Sequence, residues 1–535
     1  MKKLTALLLA AGLVLSLVGC GAKEENAPAA EEKATEAAAA TEAAGPTEAA
    51  VIDESREIKD EIVFAQSSDL TTMNPNIGTQ ERAYSLTNHM YDTLLVYDSD
   101  MNMSLGVLEE YEWEDDLTLV MKLREDVYFH NGDQMTAQDV IFTLEQRSAR
   151  GSAFNSYIDV PNIAARDEFT VVIPFTSPHQ SFIYQLTDPA FGIMPKDYFE
   201  SVGEEGFAKA PIGSGPYKLK EYVTGDYYKL ERFDEYWGGP AKTQYLTMKI
   251  VPEAGQRTIM LETGEIDVAY EIPYIDASKI QENEDLQFLQ TPSMKIVMYY
   301  INTVSETPIN NNLVRQAIEY AIDKEAIVDA VCYGYGAAAN AIVPDVAIEY
   351  RDVKEPHNYD LEKAKALMKE AGCEDGFKME IWTSSVQTNT EICQVVQDML
   401  KQINIDAEIV VQDANTTDER IDAGDDYGMS LHFYSCNSGH VEYTLSNILP
   451  TGTLRNDSRY SSAEYDATYN EWLITTDEAK REELLTKMYE IQNEDTPVVP
   501  LYNEVKVLGA TKNLEGFKLS RIGAHEYQDA VVYKD

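Results

Sequence analysis

An α/β fold spread over two or three domains is what this chain predicts, and three observations predict it. Past residue 300 the apolar pattern switches repeatedly between the helical and the strand period, the mark of a sheet covered by helices. About 480 residues follow position 57, more than a single hydrophobic core supports. Beyond residue 20 no stretch approaches 18 uninterrupted apolar residues, so the later segments read as packed elements and not as membrane spans.

The first 57 residues stand apart from that fold. Lys2 and Lys3 precede an uncharged run of 15 residues, Leu4 to Val18. That run has signal-peptide length and falls short of the ~20 residues a spanning helix needs. It closes on Leu17-Val18-Gly19-Cys20, which resembles a bacterial lipobox. The resemblance implies cleavage before Cys20 and a lipid on its sulfur, hence a protein tethered to the outer face of the cytoplasmic membrane. Residues 21–57 hold 13 alanines, ten acidic residues and no aromatic, too little apolar surface to offset ordering entropy. They read as a disordered linker of roughly 30–35 Å mean span.

Ile62-Val63-Phe64-Ala65 opens the folded part. Residues 117–129 alternate in two short runs and predict a hairpin. Asn131-Gly132 is turn chemistry. Thr136 starts a helix with Asp139 as the reciprocal cap partner. Strands are predicted over 170–175 and 246–251. Val314, Ala317, Ile318 and Ala321 share one helical face. Asp360 caps a helix that Gly372 can end. Strand 378–382, a helix carrying Ile392, Val396, Met399 and Ile403, strand 405–411 and strand 429–433 complete the alternation.

Charge and cysteines then exclude classes. The formal net charge is −49, and −51 without Lys2 and Lys3. Such a chain repels phosphate backbones and anionic headgroups, so no nucleic-acid partner is expected and the tether falls to the lipid. Cys332, Cys373, Cys393 and Cys436 lie far apart, with no Cys-x-x-Cys and no Cys/His cluster. They read as small buried thiols, with neither metal nor cofactor expected. Asp98-x-Asp100-x-Asn102 mimics a calcium loop, but Met103 stands where the sharp turn needs glycine. Gly-x-Ser-x-Gly, His-Glu-x-x-His and Walker patterns are all absent, so an enzyme is not expected.

Seven segments appear in the order of one known family. They are TLVMKLREDVYFHNGDQMTAQDVIFTLEQ (118–146), APIGSGPYKLKEY (210–222), ERFDEYWGGPAK (231–242), LETGEIDVA (261–269), NNLVRQAIEYAIDKEAIV (311–328), YDLEKAKALMKEAG (359–372) and EDTPVVPLYNEV (494–505). Together they resemble the solute-binding proteins of ABC importers for peptides, nickel and related solutes, solute-binding family 5. The resemblance implies a periplasmic-binding-protein clamshell (type II, cluster C). Its first lobe takes residues 58–98, 211–303 and 500–535, a further domain takes 99–210, and the second lobe takes 304–499. It also implies a monomer that captures a short peptide or peptide-like solute between its lobes and hands it to a membrane permease served by cytoplasmic ATPases. A nickel chelate or oligosaccharide is the alternative solute, and sensing without a permease the alternative role. His130, Arg315 and the Gly213-Ser214-Gly215 stretch read as scaffold, with Arg315 able to pair with a distant carboxylate.

Ligands gather at the carboxyl ends of strands in open α/β sheets. Strand 378–382 delivers Trp382 and Thr383 to such an end, and strand 429–433 delivers Tyr434, Cys436 and Asn437. Resemblance adds Gln80, Glu81 and Tyr84 from the first lobe. Trp382 is expected to contact ligand and Phe433 to lie in the core. Peptide-binding members of the family carry an aspartate near position 436–437 that pairs with the ligand α-ammonium. Cys436 and Asn437 stand there instead, leaving Glu442 or Glu81 as substitutes, or a ligand without a free amine. His432 and His440 flank the loop and are the residues a metal chelate would use.

Overall fold

Two unusually long antiparallel strands, Leu286–Ile301 and Val498–Thr511, organise the molecule. The computed structural model describes residues 55–78, 81–151, 153–453 and 455–534. The lipobox with Cys20 and nearly all of the linker lie outside them, as does Gln80.

The long pair runs through the middle of an eleven-stranded sheet. On one side Met429–Ser435 pairs antiparallel with Leu286–Ile301, and Phe377–Thr383 and Ile405–Val411 continue in parallel. On the other side Val268–Ala269, Glu61–Gln66 and Tyr245–Ile250 form a parallel block, extended by Tyr227–Arg232 and Tyr217–Val223. The sheet thus has two halves, each with a parallel block, joined by two strands. Pairing between those strands slips between Pro292 and Ile296 and again between Val297 and Met298. Proline cannot donate to a ladder, and a bulge bends the strand that carries it. The bend therefore falls between the halves.

Each half has its own core. Ile62, Phe64, Leu246 and Met248 anchor one. Tyr299, Ile381, Met429 and Leu431 anchor the other, under the helices Asn312–Ala321 and Gln387–Lys401. A third core, around Leu119, Phe129, Val140 and Ile173, belongs to a separate four-stranded sheet of Leu108–Asp115, Thr118–Leu123, Thr170–Pro174 and Ala164–Ala165. This small sheet and its helix Ala137–Ala149 join the first half through backbone bonds such as Ile193 N–H to Asp92 O (2.9 Å) and His130 N–H to Gly213 O (2.8 Å).

Local chemistry accounts for most boundaries. Asp139 accepts from the Thr136 N–H and hydroxyl, both at 2.9 Å, and starts its helix. Asp360 accepts from Lys363 N–H (2.9 Å) and starts Leu361–Glu370. The Gly213-Ser214-Gly215 stretch passes hard against the end of helix Glu81–Met90. A Cβ on Gly213 would lie 1.9 Å from Met90 O, so only glycine fits. His130 is satisfied by that stretch, with its ring nitrogens at 3.0 Å from Gly215 O and 3.3 Å from Gly213 N.

Two expectations change. The hairpin is not formed within 117–129: Thr118–Leu123 pairs back onto Leu108–Asp115, and the segment after Leu123 leaves the sheet. Leu108–Asp115 has an almost wholly exposed burial pattern, so its acidic sequence carries no apolar alternation to read. Arg315 does not reach a carboxylate. It donates to the carbonyls of Asp495 (2.7 Å), Asn310 and Ile309, and so holds the end of helix Glu478–Asp495.

Candidate functional site

The two halves touch where the carboxyl end of strand Met429–Ser435 meets helix Glu81–Met90 and the small sheet's segment 179–191. Tyr84 lies one turn into that helix and its hydroxyl donates to Asp188 Oδ1 (2.7 Å). From the other half, Asn437 Nδ2 donates to the Tyr84 hydroxyl (3.2 Å) and, at 3.5 Å, to Tyr443. Asp188 also accepts from Ala190 N–H (2.9 Å). Burial pushes its carboxyl up, opposed by that N–H, the charge of Arg147 and the Tyr84 hydroxyl. Tyr97 adds a donor to Ser438 O (2.9 Å).

Beside this contact is a second one. Glu442, in the first turn of helix Val441–Ile448, accepts from His179 Nε2 (2.7 Å) and from the Ser181 hydroxyl. The His179 and Glu442 side chains are 2% and 7% exposed. Tyr157 stacks on the His179 ring at 3.4 Å between centroids. Burial alone would raise the Glu442 carboxyl; His179 above all, with His440 and Ser181, holds it down at about 2.

The expected residues therefore separate. Tyr84, Asn437 and Glu442 share one junction, with Cys436 buried behind it. Cys436 donates its thiol to His440 O (3.0 Å), and burial pushes that thiol up to about 12. Glu442 does not fill the role of an ammonium anchor, because both its oxygens are taken by the small sheet's side chains. Glu81 is likewise engaged, paired with Lys506. Tyr434 is half-buried, its ring 6.0 Å from Tyr443.

Trp382 and Phe433 exchange places relative to expectation. Trp382 is 0% exposed, tilted on Tyr427 at 4.8 Å and covered by the Arg420 guanidinium at 4.0 Å. Its indole N–H is bonded to Glu380 (2.7 Å), and Thr383 beside it is buried too. Phe433 is 58% exposed, with Lys295 Nζ 4.4 Å from its ring centre and Lys295 paired to Glu504 at 2.7 Å. Parity and the extent of the covering helices decide this between them. Trp382 pairs across the sheet with Ser430 and lies on the face that helix Ala414–Asp422 covers. Phe433 shares its face with Leu431 but stands at the strand end, past the helices that bury the core.

The strand that carries Phe433 has one open edge. Its ladder with Leu286–Ile301 runs from Met429 to Ser435. On the opposite edge Phe377–Thr383 pairs only with Met429 and Ser430. Among the described residues, no strand lies beside 431–435 on that side. An unpaired edge of this kind is a template for an extended chain.

Both histidines are engaged within the protein. His432 is 2.8 Å from Ser430 Oγ, and burial pushes it down to about 4. His440 stacks on Tyr184 at 4.5 Å and lies 3.3 Å from Glu349. Among the described residues no group of three His, Cys, Asp or Glu side chains is placed to hold a metal ion. A groove of about 650 Å³ opens elsewhere, lined by Tyr320, Lys354, His357, Lys363 and Tyr489, and touches none of the expected residues. Sequence reading missed Arg147, His179, Ser181 and Asp188. Only Asp188 left a signal, the Asp-Pro start of a turn at 188–189.

Comparison with known proteins fits this geometry. The profile of bacterial extracellular solute-binding proteins, family 5, matches residues 102–454. The glutathione-binding protein GsiB of Escherichia coli K12 is 30% identical over 486 residues, spanning 88% of this chain and 94% of its own. That of Shigella flexneri serotype 5b is 30% identical over 487 residues with the same spans. Among solved structures, the periplasmic binding protein DppA of Helicobacter pylori in complex with the peptide STSA superposes with a TM-score of 0.79 at 24% identity, covering 90% of this chain and 99% of that one. The oligopeptide-binding protein AppA of Bacillus subtilis, bound to a nonapeptide, gives 0.77 at 24% identity, covering 90% and 100%. The shared fold is the α/β periplasmic-binding-protein clamshell, type II, cluster C.

Proposed function

The chain belongs to the bacterial extracellular solute-binding proteins of family 5, and from that premise we propose that it captures a short peptide or peptide-like solute and passes it to the permease of an ABC importer. The open edge of strand Met429–Ser435 carries this reading. An extended peptide gains main-chain hydrogen bonds along such an edge, whatever its side chains. Phe433 and Tyr434 beside it supply aromatic faces. Glutathione, the named ligand of the curated relatives, is itself a tripeptide-like solute within this class.

The halves joined by Leu286–Ile301 and Val498–Thr511 act as jaws, and the bend at Pro292 as their hinge. We take the first lobe as 58–98, 211–303 and 500–535, the second as 304–499, and 99–210 as a domain moving with the first. Capture involves no bond-breaking step. Cys20 carries the lipid, which places the protein on the outer face of the cytoplasmic membrane, as a monomer on a linker. Isothermal titration against di- to hexapeptides and glutathione tests the reading. Binding with a negative heat-capacity change is expected. Silence across that set, with binding of a nickel–histidine chelate or an oligosaccharide, overturns it.

A further inference from the structure

Arg147 lies in the last turn of helix Ala137–Ala149, and its charge reaches the junction at Tyr84, Asp188 and Tyr443. A guanidinium has five N–H donors in a fixed fork. Here one nitrogen, Nη1, donates to Asn76 O at 3.2 Å. Its Nε is buried and meets no acceptor among the described residues. The guanidinium carbon lies 4.9 Å from the Phe191 ring centre. Several arginines of this acidic chain lie against carboxylates, among them Arg124 on Asp126, Arg166 on Glu114 and Arg232 on Asp234. Arg147 forms no ion pair with a described carboxylate, although its charge is felt by Tyr84, Asp188 and Tyr443.

The polar groups around it are mostly donors. Asp188 accepts from Tyr84 and Ala190, both at Oδ1. At position 437 the side chain is an amide, which donates to the two tyrosine hydroxyls. Tyr443 accepts that bond and keeps its own proton to give, and its side chain is only partly buried. Among the described residues the site offers positive charge and a hydroxyl donor, and its carboxylate, Asp188, is buried.

We propose that Arg147, assisted by the Tyr443 hydroxyl, is the anchor for a carboxylate of the ligand, so that this protein selects its solute by an acid group and not by an α-amine. The inference rests on the peptide reading above and deepens it. Arginine is suited to the task because its fork meets both carboxylate oxygens at once.

The test compares tri-alanine, its C-terminal amide and its N-acetyl form by isothermal titration to the full chain and to Arg147→Gln and Arg147→Lys. A charge-assisted pair lost in a partly buried site corresponds to roughly tenfold or more in affinity. The free acid and the N-acetyl form should bind alike, and the amide at least tenfold more weakly. Arg147→Gln should erase the acid-over-amide preference, and Arg147→Lys should keep part of it. Equal binding of acid and amide by the unaltered protein overturns the inference while leaving the peptide reading intact, and needs no variant to fold. An unchanged preference in Arg147→Gln also overturns it. If no peptide binds at millimolar concentration, the peptide reading itself fails, and the anchor falls with it.

Discussion

Replacing Glu442 by alanine removes the acceptor for both His179 and Ser181 while leaving every strand of the large sheet untouched. All three side chains are almost wholly buried. Breaking a buried pair by deleting one partner costs about 3–5 kcal/mol, because the remaining polar groups stay desolvated. At 1.4 kcal/mol per factor of ten, an opening equilibrium shifts by roughly 100- to 3,000-fold. The pair joins segment 179–181 to helix Val441–Ile448, so the cost should fall on that junction. Hydrogen–deuterium exchange read by mass spectrometry separates the outcomes. Peptides covering 178–186 and 438–445 should exchange at least 100-fold faster in Glu442→Ala, while 286–301 keeps its protection. Unchanged exchange at the junction would refute the claim that this pair holds the halves together. An equal loss of protection in 286–301 would refute its locality.

Further outcomes follow from the same contacts. Glu442 is held at about 2 in the fold against 4.5 free, so its contribution is complete above 4.5 and is lost as pH falls through 2; junction protection, corrected for intrinsic exchange, should therefore fall as pH drops from 4.5 towards 2. Junction protection at pH 3 equal to that at pH 5 would contradict that assignment. Trp382→Ala should cost about 3–5 kcal/mol in denaturant unfolding with little change in peptide affinity, whereas Phe433→Ala should weaken peptide binding and leave stability within about 1 kcal/mol. The reverse pattern would return Trp382 to the cleft. Gly213→Ala would place a Cβ 1.9 Å from Met90 O, so it should lower the melting temperature sharply or yield no folded protein; a stable variant would show that the helix end can move.

Much of the fold was legible because it is local. Asp139 and Asp360 announce their helices through caps, and the parallel strands Phe377–Thr383 and Ile405–Val411 announce themselves by period. The central pair was not legible. Leu286–Ile301 and Val498–Thr511 find each other across some 200 residues, and no short-range pattern encodes that pairing. The site was legible as positions, not as roles. Asn437 and Tyr84 do meet, but the partners that define them, Asp188 and Arg147, come from a segment and a helix whose local signals mark a turn and a cap, not a place in the site. Trp382 misled because its residue type suggests a ligand platform. Its face is decided by strand parity and by the helix Ala414–Asp422 laid over it, neither of which the residue itself reveals.

A crystal structure of the full chain grown with tri-alanine tests the central claim most directly. The peptide is expected to lie extended between the halves, its backbone bonded along residues 431–435. A peptide seated instead in the groove of Lys354, His357 and Lys363, with the junction of Tyr84 and Asn437 undisturbed, would contradict it.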